Sequence, residues 1–135
     1  MISKKTKYGL KALLFIAKNS KGDPVPINTI SEQENISRKF LESILLTLKN
    51  NGLLGSKKGK FGGYYLLKSP KEIKMSTVIR ILEGPIAMVP CVSLNYYEKC
   101  DDCKEPEECA VRNLMEAVRD STLQIYNNRT LSDLI

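Results

Sequence analysis

The chain of 135 residues is 42% hydrophobic and 27% charged and carries a net charge of +6, a size and mix that suit one soluble domain with a small appended element. It has no histidine, which removes the commonest general base and metal ligand and excludes a Ser-His-Asp or Cys-His catalytic pair. It also lacks a phosphate-binding glycine loop and a paired-carboxylate motif, so an enzyme is not expected.

Lys4, Lys5 and Lys7 precede the apolar run Ala12–Ala17, superficially like a secretory signal, but Lys18 ends the run early and no small-residue cleavage site follows. No segment reaches the ~18 apolar residues of a membrane span. A cytoplasmic protein with no membrane association is expected. A helix is expected over 3–18, where Leu10, Leu13, Leu14 and Ala17 repeat at i, i+3, i+4 and i+7. Residues 19–24 (Asn-Ser-Lys-Gly-Asp-Pro) read as a loop. Pro26 is expected at the first position of a short helix over 27–34, with Asn35 as a left-handed turn residue. Ser37 then reads as an N-cap. Leu41, Ile44, Leu45 and Leu48 repeat the helical spacing, and Gly52 ends it as a left-handed cap. Two short helices joined by a tight turn make a helix-turn-helix candidate.

Strand candidates follow at 53–56 and 64–67, flanking the lysine- and glycine-rich stretch Lys57–Gly63, which reads as a hairpin wing closed by Pro70. A short helix is expected over 76–83 with Ser76 as its cap, ended by Gly84-Pro85. Residues 86–109 show no period and hold all four cysteines. A helix returns over 110–127, with Leu114, Ala117, Val118 and Ile125 apolar, before a capped terminal turn at 130–135. The expected fold class is mainly α with a small β-hairpin wing. Its first unit, 1–75, is a winged helix-turn-helix. Its second, 76–135, carries the cysteine loop 86–109 and a long helix.

Charge divides along the same line. Residues 1–75 hold 15 Lys/Arg against 5 Asp/Glu, and residues 76–135 hold 6 against 10. A basic half of this kind fits a polyanion. Ser37, Arg38, Lys39, Glu42 and Ser43 lie off the apolar stripe of the second helix. Arg38 and Lys39 can donate to guanine or phosphate, and Glu42 can accept from cytosine N4. Lys57, Lys58 and Lys60 on the wing, with Lys4, Lys5 and Lys7 at the amino end, suit phosphates or a minor groove. Double-stranded DNA is the expected partner.

The sequence resembles the Rrf-two family of small bacterial winged helix-turn-helix regulators. The family includes an iron–sulfur cluster regulator, a nitric-oxide-sensing repressor and a cysteine-metabolism repressor. The resemblance rests on Tyr8–Leu13, Val25-Pro26-Ile27 to Glu32, Ile36–Glu42, Leu48–Leu53, Gly62-Gly63-Tyr64, the cysteine loop and Leu131–Leu134. It implies a homodimer that packs through the long helix and addresses a roughly palindromic operator. It also implies base reading by Ser37, Lys39, Phe40 and Glu42, and a minor-groove role for Lys58. The family's Gly-Gly-Gly hairpin is here Phe61-Gly62-Gly63, which would alter the wing tip.

The cysteine spacing is Cys91-x8-Cys100-x2-Cys103-x5-Cys109. Four thiols within 19 residues suit an iron–sulfur cluster or zinc, both of which take four ligands; a metal-free thiol sensor is the other reading. The resemblance implies a cluster, of 2Fe-2S or 4Fe-4S type and lost from aerobically prepared protein, on Cys91, Cys103 and Cys109. The family's fourth ligand, a histidine three residues after the last cysteine or an aspartate in the first helix, is here Arg112 or Tyr8. Cys100 then becomes the candidate. Six acids (Glu98, Asp101, Asp102, Glu105, Glu107, Glu108) crowd the loop and disfavour further negative charge. The function expected is transcription repression governed by iron–sulfur status, redox or nitric oxide. The alternative is a cluster-free regulator controlled by a partner protein or by thiol oxidation.

Overall fold

A computed structural model describes residues 2–20 and 22–135; Lys21, in the loop expected at 19–24, lies outside the described residues. Helix α1 (Lys4–Asn19) begins where the Ser3 hydroxyl accepts from the Thr6 N–H. Helix α2 (Ile27–Glu34) matches its expected bounds and ends at Asn35, which is left-handed at φ 53°. Pro26, expected inside that helix, instead caps it in an extended conformation (ψ 143°), and its carbonyl accepts from Thr29 and Ile30. Helix α3 (Arg38–Asn50) starts on the Ser37 cap, whose hydroxyl accepts from the Phe40 N–H. Gly52 follows it at φ 80°, as the left-handed stop requires.

Strands β1 (Leu54–Lys57) and β2 (Gly63–Leu66) pair antiparallel, with Leu54 opposite Leu66 and Lys57 opposite Gly63. Both sit one residue from their expected bounds. Val25 extends the sheet by exchanging two 2.8 Å backbone bonds with Tyr64. That pairing brings β2 so close that a Cβ on Gly63 would lie 2.3 Å from the Val25 carbonyl oxygen. Only glycine fits there. Phe61 points into solvent, 81% exposed, so the chain accommodates a side chain at this point of the hairpin.

Helix α4 (Met75–Leu82) starts one residue early, capped by the Lys74 backbone rather than by Ser76. Ser76 is buried within the first turn. The helix is anchored there by the Met75 N–H donating to the Arg129 carbonyl, a contact across more than fifty residues of chain. Helix α5 (Ala110–Asn127) matches its expected bounds. The terminal turn Leu131–Leu134 carries a reciprocal Thr130–Asp133 capping box.

One core runs through the molecule. Leu13 and Ile16 of α1, Ile30 of α2, and Leu41, Ile44, Leu45 and Leu48 of α3 meet Val78 and Leu82 of α4, with Leu131 closing the base. A core this continuous holds α3 rigidly, with its polar side turned to water. Helix α5 packs on α4 and on the turn Pro90–Val92, where the Arg119 guanidinium donates to the Val92 carbonyl at 2.8 Å. No helix among the described residues is long and apolar enough to cross a membrane.

Candidate nucleic-acid interface and cysteine cleft

Because α3 buries Leu41, Ile44, Leu45 and Leu48, it turns Arg38, Lys39, Glu42 and Ser43 outward, all exposed. Arg38 and Glu42 form an exposed i,i+4 pair at 3.2 Å. Such a pair is worth at most about 0.5 kcal/mol in water, so either partner is easily released to a ligand. Phe40 is placed differently. It is half-buried and meets the Tyr8 ring edge-on, with centroids 5.7 Å apart. That contact sets the first turns of α1 beside the start of α3. Lys4 and Lys7 are exposed there, and Lys5 is half-buried.

On the other side of α3, Lys57, Lys58 and Lys60 are exposed on the wing, with the Lys60 ammonium 5.7 Å from the Phe61 ring centre. Two residues that sequence reasoning missed join them. Lys49, at the end of α3, donates to the Ser56 hydroxyl at 2.7 Å. Asn28, at the start of α2, lines the same open groove of about 500 Å³ as Lys49, Lys57, Lys58 and Lys60. The start of α2, the end of α3 and the wing therefore present one cationic surface. No periodicity in the sequence marks Lys49 or Asn28; only the fold places them.

The four cysteines are free and partly buried, and all four line a single cleft of about 280 Å³. Cys109 caps α5, its sulfur accepting from the Arg112 N–H at 3.4 Å. The positive end of the α5 dipole thus lies at the cleft. The Cys100 thiol is pushed up from its ordinary value, first by its hydrogen bond with Cys91 and then by the charge on Cys91, with burial, Asp102 and Cys103 adding. Arg112 also lines the cleft. It pairs with Glu107 at 3.6 Å and Glu116 at 3.3 Å, while its buried Nε has no hydrogen-bond partner. The donor chemistry suits an iron–sulfur group, with four thiols on one cleft and an orphan cationic N–H beside them. The sulfurs do not converge: among the described residues no three Cys, Asp or Glu groups are placed to share a metal ion.

The Rrf2 family model, described as an iron-dependent transcriptional regulator, matches residues 2–135. The chain belongs to the Rrf2 family. It is 39% identical to an rrf2-like HTH-type transcriptional regulator of Rhodobacter capsulatus, over 100% of this chain and 92% of that protein. It is 31% identical to the transcriptional regulator IscR of Pectobacterium carotovorum, over 99% and 78%. The solved structure of CymR, the global cysteine regulator of Bacillus subtilis, superposes with a TM-score of 0.80 at 35% identity, covering 99% of this chain and 95% of that one. These relatives are all transcriptional regulators, and this Rrf2 protein is a DNA-binding regulator rather than an enzyme.

In this Rrf2 chain a carboxylate ties α4 to the start of α1. Glu83, at the end of α4, accepts from the Ser3 N–H at 3.1 Å and the Ser3 hydroxyl at 2.8 Å, and also from the Thr6 hydroxyl. It thereby fixes the Ser3 cap, whose hydroxyl accepts from the Thr6 N–H, against α4. The Thr6 bond first, then those from Ser3, hold the Glu83 carboxyl below its ordinary value. A lowered carboxyl stabilises the fold above its unfolded value, about 4.3, and loses that contribution as pH falls through the folded value. Glu83 remains largely exposed, which keeps its worth to about 1 kcal/mol. Glu83→Gln is expected to lose that amount in urea melts at pH 7 and to match the parent once the pH lies below the folded value. An equal difference at both pH values would show that the charge is not what matters.

Proposed function

We propose that the protein is a cytoplasmic, homodimeric repressor. In this reading α3 and the wing grip a roughly palindromic operator, and Cys91–Cys109 hold an iron–sulfur cluster that sets DNA affinity. The observation that carries it is the gathering of all four cysteines on one cleft at the start of α5. Cys91, Cys103 and Cys109 would hold the cluster, with Cys100 as the fourth ligand, since the Arg112 guanidinium stays protonated and offers no lone pair to a metal. When bound, such a group supplies chemistry sensitive to iron supply, oxidants and nitric oxide.

The chain's own residues connect cleft to DNA surface. Cys109 caps α5, Arg119 of α5 holds the Val92 carbonyl, α5 packs on α4, Glu83 of α4 holds α1, and Tyr8 of α1 packs on Phe40 of α3. Ordering the loop against α5 shifts the placement of α3 in each protomer. That requires loaded and empty protein to differ in operator affinity, because a group neutral between the two states shifts nothing.

The test is iron and acid-labile sulfide per protomer after anaerobic purification. Brown protein carrying both, lost in Cys91→Ala, Cys103→Ala and Cys109→Ala, is the expected result, and Cys100→Ala is expected to lose them as well. Iron-free protein after anaerobic reconstitution would overturn the cluster. Equal operator affinity of loaded and empty protein across a salt series would overturn the switch.

A second reading is favoured by the four free thiols on one cleft and by the likeness to a global cysteine regulator. Here hydrogen peroxide takes two electrons from the Cys91 and Cys100 thiols, forming one disulfide and releasing two waters. No metal is involved. Colourless protein that loses two hydrogens of mass on peroxide treatment, and regains them with a thiol reductant, would select this reading.

A further inference from the structure

The outward side of α3 carries one large apolar side chain. Leu46 is 52% exposed, whereas Leu41, Ile44, Leu45 and Leu48 on the same helix are fully buried. With about 100° of rotation per residue, the direction opposite those four core residues is occupied by Lys39, Ser43, Leu46 and Asn50. Leu46 therefore stands at the outer crest of the helix, flanked by polar residues on either side along its length. It is about 10 Å along the axis from Lys39, within the reach of a helix lying in a major groove about 12 Å wide.

An exposed leucine on a monomer surface is ordinary when it is scattered. Position makes this one different. Lys39 shares its crest, and Lys49 at the end of the same helix lines one groove with Lys57, Lys58 and Lys60 of the wing. Protein partners of such a surface would be acidic. The polyanion that also offers an apolar group in a groove of helix width is duplex DNA, through the thymine 5-methyl.

We propose that Leu46 is a specificity-determining residue that packs on a thymine methyl in each operator half-site. The inference rests on the proposal that α3 enters the major groove. Leu46 makes no hydrogen bond and pairs with no phosphate. Its contribution is confined to one base step and is insensitive to salt, unlike that of the lysines around it.

The test begins with duplexes selected from a random pool by the full-length protein. Each thymine of the selected site is then replaced by deoxyuridine, which deletes only the methyl. Burial of one methyl corresponds to roughly a fourfold change in affinity per contact. One thymine per half-site is expected to show that loss with the parent protein and none with Leu46→Ala. The salt slope should be the same for both proteins. Leu46→Ala should melt with the parent, since the side chain is exposed.

If the parent selects a site but every deoxyuridine penalty persists unchanged in Leu46→Ala, the inference is overturned while groove entry by α3 stands. If Leu46→Ala weakens selected and random duplexes by the same factor, the residue acts without sequence information and the inference again falls. If the pool yields no preferred sequence, the DNA-reading assignment of α3 falls as well.

Discussion

Replacing Lys57, Lys58 and Lys60 together by alanine is expected to lower the affinity of one protomer for its half-site by about 10²- to 10³-fold at 0.1 M monovalent salt. The estimate follows from counterion release: each phosphate neutralised contributes about 0.9 to the slope of log affinity against log salt. Three contacts per protomer contribute about 2.7, which at 0.1 M amounts to roughly 500-fold on a half-site, and a dimer on its full operator loses them twice. The three lysines are exposed, and none is committed to a salt bridge among the described residues. Their charge is therefore available to DNA at little internal cost. Removing them should not unfold the hairpin, because its pairing is made by the backbone from Leu54–Leu66 to Lys57–Gly63 and by Val25 against Tyr64.

The salt titration distinguishes this loss from an unfolded wing. On a half-site, lost phosphate contacts flatten the slope by about 2.7, and on the full operator by about twice that, while leaving base preference intact. A displaced wing would blur the preference too. An unchanged slope would place the wing away from DNA. Gly63→Ala offers the contrasting case, since its Cβ collides with the Val25 carbonyl and lifts β2 from its neighbour without removing any charge.

The readability of this fold from its sequence varies with the range of the interactions involved. Helices α2 and α5 were legible to the residue because their limits are local. Asn35 turns left-handed, and Cys109 leads into an 18-residue run with a clear period. The start of α4 was not, because Met75 is fixed by Arg129 and Lys74 bridges to Thr130 at the far end of the chain. Phe40, implied as a base reader by the resemblance, is half-buried against the Tyr8 ring, a contact between helices that no local pattern encodes. Glu83 carries no motif; its partners Ser3 and Thr6 lie 80 and 77 residues away. The cysteines stand out by spacing as four thiols in one loop, but their arrangement around the cleft depends on loop geometry that no period encodes.

Helix α5 shows the same limit most clearly, and it leads to the second large effect. The sequence marks it as apolar without saying which side faces home. Leu123 and Tyr126 pack inward, and Arg119 reaches the Val92 carbonyl. Val111, Leu114 and Ile125 are left exposed, with Leu114 59% accessible. Val111, Val118 and Ile125 recur every seven residues, with Leu114 three after the first, the spacing of a helix–helix seam. The proposed homodimer would pair through this face, because two-fold pairing of one surface with itself also matches the two halves of a palindrome.

Leu114→Glu is expected to convert the protein to monomer in sedimentation velocity. The substitution acts twice at an isologous contact, removing two leucines, each worth about 1.5–3 kcal/mol when buried, and setting two carboxylates against apolar surface. The fold of each chain should survive, since Leu114 touches none of the core, and the far-ultraviolet dichroism should be unchanged. The loss appears on DNA. Two linked reading helices gain about 10²–10⁴-fold over one through effective concentration, so operator affinity should fall by at least about 10²-fold while half-site affinity is retained. A Leu114→Glu protein that remains dimeric would move the interface elsewhere. One that is monomeric yet binds the full operator like the parent would separate dimerisation from DNA reading.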